Sequence, residues 1–180
     1  ILSMKRLLFV LLTFFILSAT ADAAHIKGGF FTYRYLGPGN GTNLRYQIKL
    51  TVYMICSASE GQVNTTVNFS IFNGGTNQFI QNASVALTNS YTLNKSYNEP
   101  CITGDERGCY YLIVEYNLPS IELPATPNGY IIAYQRCCRI SGINNLVNSG
   151  AVGNTFSIKI PGTAVTPGAE RNNSPTFLVN

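Results

Sequence analysis

The sequence has few charged side chains, and those it has are widely spaced. Asp, Glu, Lys and Arg together make up 11% of the chain. Beyond residue 23 the basic residues never cluster, and Arg136 and Arg139 are the closest pair. A nucleic-acid surface needs a dense basic stripe on one face. We therefore expect no nucleic-acid partner.

The chain also lacks the residues from which common active sites are built. Its only histidine is His25, and its only aspartate beyond residue 23 is Asp105. A hydrolytic triad needs a base and an orienting acid beside a nucleophile, whereas His25 is next to a predicted chain end and Asp105 lies in a predicted loop. The motifs G-x-S-x-G and H-E-x-x-H are absent, and no two of the six glutamates form an obvious acid–base pair. We predict a protein that is not an enzyme, with no catalytic residue and no cofactor.

Metal binding is not expected either. There is no C-x-x-C pair, and a single terminal histidine gives a zinc site too few ligands. Asp105 and Glu106 are adjacent, but a calcium loop uses several acidic side chains. We predict no metal site.

The first 23 residues have the three parts of a signal peptide. Lys5 and Arg6 follow Met4, an apolar run of 11 residues spans positions 7–17, and Ala21-Asp22-Ala23 has the form of a cleavage site. The apolar run is too short to cross a membrane, which takes about 20 residues. We predict a signal peptide over 1–23 and a secreted single domain over 24–180, with no membrane span in the mature chain.

Apolar residues alternate with polar ones along the mature chain, which indicates β-strands. The clearest strand is Leu44–Cys56, with every second residue from Leu44 to Cys56 on one apolar face. The other predicted strands are Phe30–Leu36, Val63–Ile71, Gln78–Leu87, Cys109–Tyr116, Gly129–Cys138 and Thr155–Ile160. Seven or eight short strands without crossover helices predict an all-β fold, an antiparallel two-layer sandwich of immunoglobulin-like type. We also expect a short helical turn over Ile143–Val147.

The five cysteines are predicted to form disulfides, because the chain carries a signal peptide. They are Cys56, Cys101, Cys109, Cys137 and Cys138. Cys101 and Cys109 bracket a nine-residue loop and are expected to pair.

Cys137 and Cys138 are adjacent in a predicted strand, so they point to opposite faces and one of them can meet Cys56. The residues do not decide which one. The fifth cysteine is then an intermolecular partner, a free thiol, or bonded to a residue outside this sequence. A bond between Cys137 and Cys138 themselves is the less favoured alternative because such a bond is strained.

Two further surface features carry alternative interpretations. Six N-x-S/T sequons occur, at Asn40, Asn64, Asn68, Asn82, Asn94 and Asn172. They are glycan acceptors or a chance result of a composition rich in Asn, Ser and Thr.

The tyrosines of the predicted strands are expected to be ordinary sheet residues, with a stacking surface for sugars as the alternative. These tyrosines are Tyr110, Tyr111, Tyr116, Tyr130 and Tyr134. Gly28-Gly29 indicates a bulge or a close-packing site.

Several motifs together resemble one bacterial family. They are HIKGG and TYR over 25–34, YQIKLTVYMIC over 46–56, Pro100-Cys101, YIIAYQRCCR over 130–139 and NSPTF over 173–177. In this combination the chain resembles the N-terminal module of secreted multidomain surface proteins of Bacteroidetes. The resemblance covers essentially the whole mature chain, and YQRCCR is its most specific part.

The resemblance implies a function and a set of partners. Such proteins continue into immunoglobulin-like or PKD-like repeats and often end in a gliding-motility-associated or type IX secretion sorting domain. They imply a non-catalytic structural or adhesion role at the cell surface. The implied partners are downstream domains of the same chain, surface polysaccharide and other surface proteins. A stand-alone secreted carbohydrate-binding domain is the alternative.

The family pattern also bears on the cysteines and the arginines. A further cysteine commonly follows the N-S-S-P segment in the family, and this sequence ends at Asn180 before that position. The present chain is thus expected to be a fragment of a longer protein, whose additional cysteine would pair with the fifth one here. Arg136 and Arg139 flank the cysteine pair, and we expect them to brace loops through hydrogen bonds to carbonyls or carboxylates.

Overall fold

A computed structural model describes residues 26–56, 62–94 and 109–175 of the chain. The predicted signal peptide, His25, Cys101 and Asp105 lie outside these residues, as do the side chains of Cys109 and Tyr110. Within the described ranges there is no helix of the length and apolarity needed to cross a membrane.

The described chain is all-β, with seven strands that pair antiparallel in one continuous sheet. The strands are β1 (Ile26–Pro38), β2 (Asn43–Met54), β3 (Thr66–Asn73), β4 (Phe79–Asn94), β5 (Cys109–Pro124), β6 (Tyr130–Arg136) and β7 (Asn154–Ile160). Their order in the sheet is β1-β2-β5-β4-β3-β6-β7. All seven predicted strands are confirmed, and β4 and β5 extend seven and eight residues further than predicted.

Strand β4 joins two halves of the sheet. Its first part pairs with β3 and its second part pairs with β5, with a register irregularity between Leu87 and Asn89. We call β1, β2, β5 and the second part of β4 the β2 half, and β3, β6, β7 and the first part of β4 the β3 half. The outermost strands β1 and β7 lie close to each other, so the sheet is nearly barrel-like.

The core draws on both halves and is built from alternate residues. Along β2, every second residue from Leu44 to Met54 is at most 8% exposed, which confirms the predicted apolar face. Phe31 on β1 meets Phe69 on β3 edge to face, with ring centroids 5.0 Å apart. Both halves therefore contribute buried residues to a single core.

The buried tyrosines bond their hydroxyls to backbone carbonyls. Tyr46 donates to Glu170 O, Tyr116 to Asn64 O and Tyr130 to Pro124 O, each at 2.7 Å. Burial raises the pKa of Tyr116 to about 12 and also raises the pKa of Tyr130. Tyr116, Tyr130 and Tyr134 are thus sheet residues of the core, as expected, and not a stacking surface.

Two local predictions have different outcomes. The bulge predicted at Gly28-Gly29 is confirmed, because the pairing of β1 with β2 is irregular between Ile26 and Gly28. A Cβ on Gly29 would come within 2.7 Å of the Thr51 carbonyl oxygen. The short helical turn expected at 143–147 is confirmed only in part: Leu146 N donates to Ile143 O at 3.1 Å and closes one turn, and a 3-10 turn follows at Ser149–Ala151.

Candidate functional site

The cysteines pair differently from the prediction. Cys137 is bonded to Cys138, so neither of them is bonded to Cys56. The prediction assumed that strand alternation continues through both residues, but β6 ends at Arg136 and the two cysteines lie in the bend after it. Cys56 is itself disulfide-bonded and lies exposed beyond the end of β2, not on its core face.

Arg136 and Arg139 hold the segments on either side of this cysteine pair. The Arg136 guanidinium donates to the Gln62 carbonyl oxygen, and Arg139 Nε donates to Gly153 O at 3.1 Å. The backbone of Arg139 also pairs with Ile26 and bonds Val152 O. The arginines thus tie the bend after β6 to the segments before β3 and before β7.

A short segment near the end of the described chain covers the free edge of β1. The backbone N–H of Tyr33 donates to Ser174 Oγ at 2.8 Å, and Ser174 N donates to Tyr33 O at 3.0 Å. The N–H of Tyr35 donates to Asn173 Oδ1 at 2.7 Å. Unpaired strand edges attract other strands, so Asn173 and Ser174 close this part of the edge.

The outward face of the β2 half carries a groove of about 890 Å³. We call it the aromatic groove. Its lining is Phe30, Thr32, Tyr33, Arg34, Gln47, Lys49, Thr51, Tyr53, Thr88, Tyr91, Glu115, Asn117, Asn173, Ser174 and Pro175. Phe30 is 45% exposed and Tyr91 is 44% exposed. Large apolar side chains this exposed in the lining of one groove are typical of interaction sites.

Three aromatic rings form one end of the aromatic groove. Phe30 and Tyr53 have ring centroids 6.1 Å apart and planes inclined by 34°. Ile113 lies between Tyr53 and Tyr91 in the register of the sheet and is 5% exposed, although it belongs to the outward face. A buried apolar side chain therefore lies between Tyr53 and Tyr91 on this face.

Polar and charged groups form the middle and the other end of the aromatic groove. Lys49 Nζ and Glu115 Oε1 are 2.5 Å apart, and Gln47 Nε2 donates to Asn117 Oδ1 at 3.1 Å. Arg34 is exposed, and its guanidinium has no partner within the described part of the chain. The groove thus combines apolar rings with donors, acceptors and an available cation.

The outward face of the β3 half has a different groove, of about 450 Å³. We call it the amide groove. Three sequon asparagines line it: Asn64, Asn68 and Asn82. Asn64 Nδ2 donates to Tyr134 OH at 3.4 Å, and Ser70 Oγ donates to Asn82 Oδ1 at 2.9 Å. Most of this lining consists of short neutral amides and hydroxyls.

No group of three His, Cys, Asp or Glu side chains suited to a metal ion occurs among residues 26–56, 62–94 and 109–175. The described carboxylates have protein partners instead. Glu115 pairs with Lys49, Glu122 accepts from Asn40 N at 3.2 Å, and Glu170 lies 3.3 Å from Arg171 Nε.

The aromatic groove was not predicted from the sequence. Phe30, Tyr53 and Tyr91 belong to three strands, and the tyrosines considered for stacking were others. Of the five tyrosines predicted as sheet residues, only Tyr111 has its described side chain on the outward face of the β2 half. Its ring centroid lies 5.5 Å from that of Tyr53, and Lys27 Nζ lies over the Tyr111 ring. An available signal was the position of Tyr53 on the polar face of its strand.

Comparison of the chain with protein-family models, with curated proteins and with solved structures gave no match in any of the three.

Proposed function

We propose that this protein is a non-catalytic structural or adhesion module of a bacterial surface protein, secreted and exposed outside the cell. The observation that carries the proposal is the aromatic groove. It places exposed rings beside polar groups on a rigid sheet, an arrangement that suits recognition of another surface. The groove residues belong to β1, β2, β4 and β5, and backbone pairing fixes them relative to one another.

The extracellular part of the proposal has two supports. The predicted signal peptide over 1–23 would direct export. Three of the five cysteines, Cys56, Cys137 and Cys138, are disulfide-bonded, and structural disulfides persist in oxidising compartments outside the cytosol.

The architecture within the proposal is an immunoglobulin-like sandwich of two layers. The β2 half and the β3 half would be the layers, with β4 passing from one to the other. The contact between Phe31 and Phe69 across the core supports two facing layers. The nearly closed order of the sheet is also compatible with a flattened barrel.

The resemblance to Bacteroidetes surface modules gives further support. Its most specific motif, YQRCCR, has a structural use here, because both arginines hold neighbouring segments through backbone carbonyls. The proposed partners are downstream domains of the same chain, surface polysaccharide and other surface proteins.

Expression of the chain with its own N-terminus in a Bacteroidetes host tests this proposal. We expect mass spectrometry of the exported protein to give an N-terminus at Ala24, and a membrane-impermeant reagent to label it on intact cells. An unprocessed protein kept in the cytoplasm with reduced cysteines would overturn the proposal. Substrate turnover that His25→Ala or Asp105→Ala abolishes would overturn its non-catalytic part.

The second candidate is a stand-alone secreted carbohydrate-binding domain. The observation that favours it is the set of planar amides and charged groups beside the rings of the aromatic groove. A glycan array probed with the purified exported protein separates the two candidates. Tight binding of one defined oligosaccharide by a chain that remains in the medium would favour the second.

A further inference from the structure

We propose that the aromatic groove binds an anionic polysaccharide, with sugar rings stacked on Phe30, Tyr53 and Tyr91 and an acidic substituent paired with Arg34. This inference deepens the proposed adhesion role, on which it rests, by naming the class of surface ligand.

The aromatic end of the groove suits the apolar face of a sugar ring. A pyranose presents C–H groups on its flat face, and an aromatic ring offers a matching flat apolar surface. Phe30 and Tyr53 are neighbouring rings with centroids 6.1 Å apart and planes inclined by 34°, and Phe30 is 45% exposed. Gly28 is opposite Tyr53 on β1, and nothing lies within 4 Å of the position its Cβ would take. The space beside Tyr53 is therefore open.

The polar middle of the groove suits the hydroxyl rim of a sugar. Each hydroxyl both donates and accepts a hydrogen bond, so it needs partners of both kinds. Lys49 supplies ammonium donors, Glu115 supplies carboxylate acceptors, and Asn117 supplies an amide. Backbone pairing holds these three residues in neighbouring register positions, since Lys49 is opposite Asn117 and Glu115 is next but one along β5.

The charge of the groove favours an acidic ligand over a neutral one. Lys49 and Glu115 neutralise each other at 2.5 Å, whereas Arg34 has no carboxylate beside it in the described chain. A guanidinium binds carboxylate and sulfate groups through paired hydrogen bonds. Lys27, over the Tyr111 ring at 4.8 Å, adds a second cation near the aromatic end.

An acidic peptide is the other ligand with this charge, and the edge of the sheet argues against it. Extended peptides bind sheets by adding a strand to a free edge. At this side of the groove, Asn173 and Ser174 already occupy the backbone groups of Tyr33 and Tyr35. An extended peptide therefore cannot add a strand at Tyr33 and Tyr35, whereas a sugar chain binds through side chains and needs no free edge.

Affinity electrophoresis of the purified exported protein tests the inference. The gels contain polygalacturonate, which carries carboxylates, dextran sulfate, which carries sulfates, or neutral dextran. The variants are Tyr91→Ala and Arg34→Gln, both at exposed positions. The matched control is Phe79→Ala, because Phe79 is 57% exposed but lies outside the groove.

We expect retardation by one or both anionic polymers and none by neutral dextran. Tyr91→Ala and Arg34→Gln should each weaken binding about tenfold, equivalent to about 1.4 kcal/mol, while Phe79→Ala should not change it. The polymer that binds more tightly identifies carboxylate or sulfate as the acidic group.

Three results would overturn the inference. They are equal retardation by neutral dextran, equal binding by the wild type and both groove variants, and no binding to any of the three polymers. Tight binding of polyglutamate in the same assay, without polysaccharide binding, would assign the groove to an acidic peptide. None of these results affects export and surface labelling, which test the proposed function separately.

Discussion

The two outward faces of this protein rest on one core, yet their chemistry differs sharply. The β2 half shows aromatic rings, an ion pair and a free guanidinium. The amide groove of the β3 half is lined mainly by neutral amides and hydroxyls, and Phe72 in its lining packs on the exposed ring of Phe79. Strand β4 contributes to both, with Asn82 in the amide groove and Tyr91 in the aromatic groove. Since the inner residues determine the fold, the outward residues are free to carry recognition, and of the two grooves the aromatic groove is the one that combines exposed rings with an arginine that has no carboxylate beside it in the described chain.

The largest expected effect is the loss of the core that the two faces share. Phe69→Ala removes a fully buried ring that packs on Phe31. Such a truncation costs about 3–5 kcal/mol of unfolding free energy. We expect urea unfolding followed by far-UV circular dichroism and by tyrosine fluorescence to give one coincident transition at lower urea.

The control is Phe79→Ala, which should stay within about 0.5 kcal/mol of the wild type because Phe79 is exposed. Separate transitions for the two probes would show that the halves fold independently, which would contradict the single core.

Alkaline pH should weaken the structure next most strongly. Burial raises the pKa of Tyr116 to about 12, and raises the pKa of Tyr134 as well. In the unfolded chain these hydroxyls ionise near pH 10. Above that pH the unfolded chain releases protons that the folded chain keeps, so the free energy of unfolding falls between pH 10 and about 12.

Urea titrations at a series of pH values from 8 to 11.5 measure this loss. Tyr116→Phe should be less stable at pH 8, because it lacks the bond to Asn64 O, but should lose less stability as the pH rises. An identical pH slope in the variant would rule out Tyr116 as a source of the effect.

A smaller loss of stability is expected when either arginine beside the cysteine pair is replaced, and the loss should differ between the two. Arg136→Gln should cost about 1.5–3 kcal/mol, because it removes a charged donor from the partly buried Gln62 carbonyl. Arg139→Gln is the matched variant, and its bond to Gly153 O is exposed, so its cost should be lower. Thermal unfolding of both variants measures the difference. A larger loss for Arg139→Gln would contradict the assigned bracing.

The smallest predicted effect concerns the segment that borders the aromatic groove. Ser174→Ala removes the hydroxyl that bonds both Tyr33 N and Tyr33 O. Neutral hydrogen bonds contribute about 0.5–1.5 kcal/mol. We expect faster hydrogen exchange at the Tyr33 amide, with no change in Ser90→Ala, whose serine lies on β4 away from this segment. Unchanged exchange at Tyr33 would mean that residue 174 does not protect the edge.

The sequence contains the information on strands and on core faces, because strand alternation is local. The run from Leu44 to Met54 shows its buried face directly. The order of the strands requires distant pairings, such as Lys49 with Asn117, and alternation does not specify partners. The same reason explains why the aromatic groove was missed, since its rings come from positions 30, 53 and 91. The cysteine prediction was wrong because it continued β6 through Cys137 and Cys138, which would point the two side chains to opposite faces. The strand ends at Arg136, and the two cysteines are bonded to each other.

Binding of the exported protein to intact Bacteroidetes cells compares the two faces most directly. The wild type, Tyr91→Ala in the aromatic groove and Asn68→Ala in the amide groove are incubated with cells, and the bound fraction is measured by sedimentation. Both positions are exposed, so both variants should keep the wild-type stability. We predict that Tyr91→Ala loses binding and that Asn68→Ala keeps it. Loss of binding by Asn68→Ala alone, or retention by both variants, would contradict the assignment of recognition to the aromatic groove.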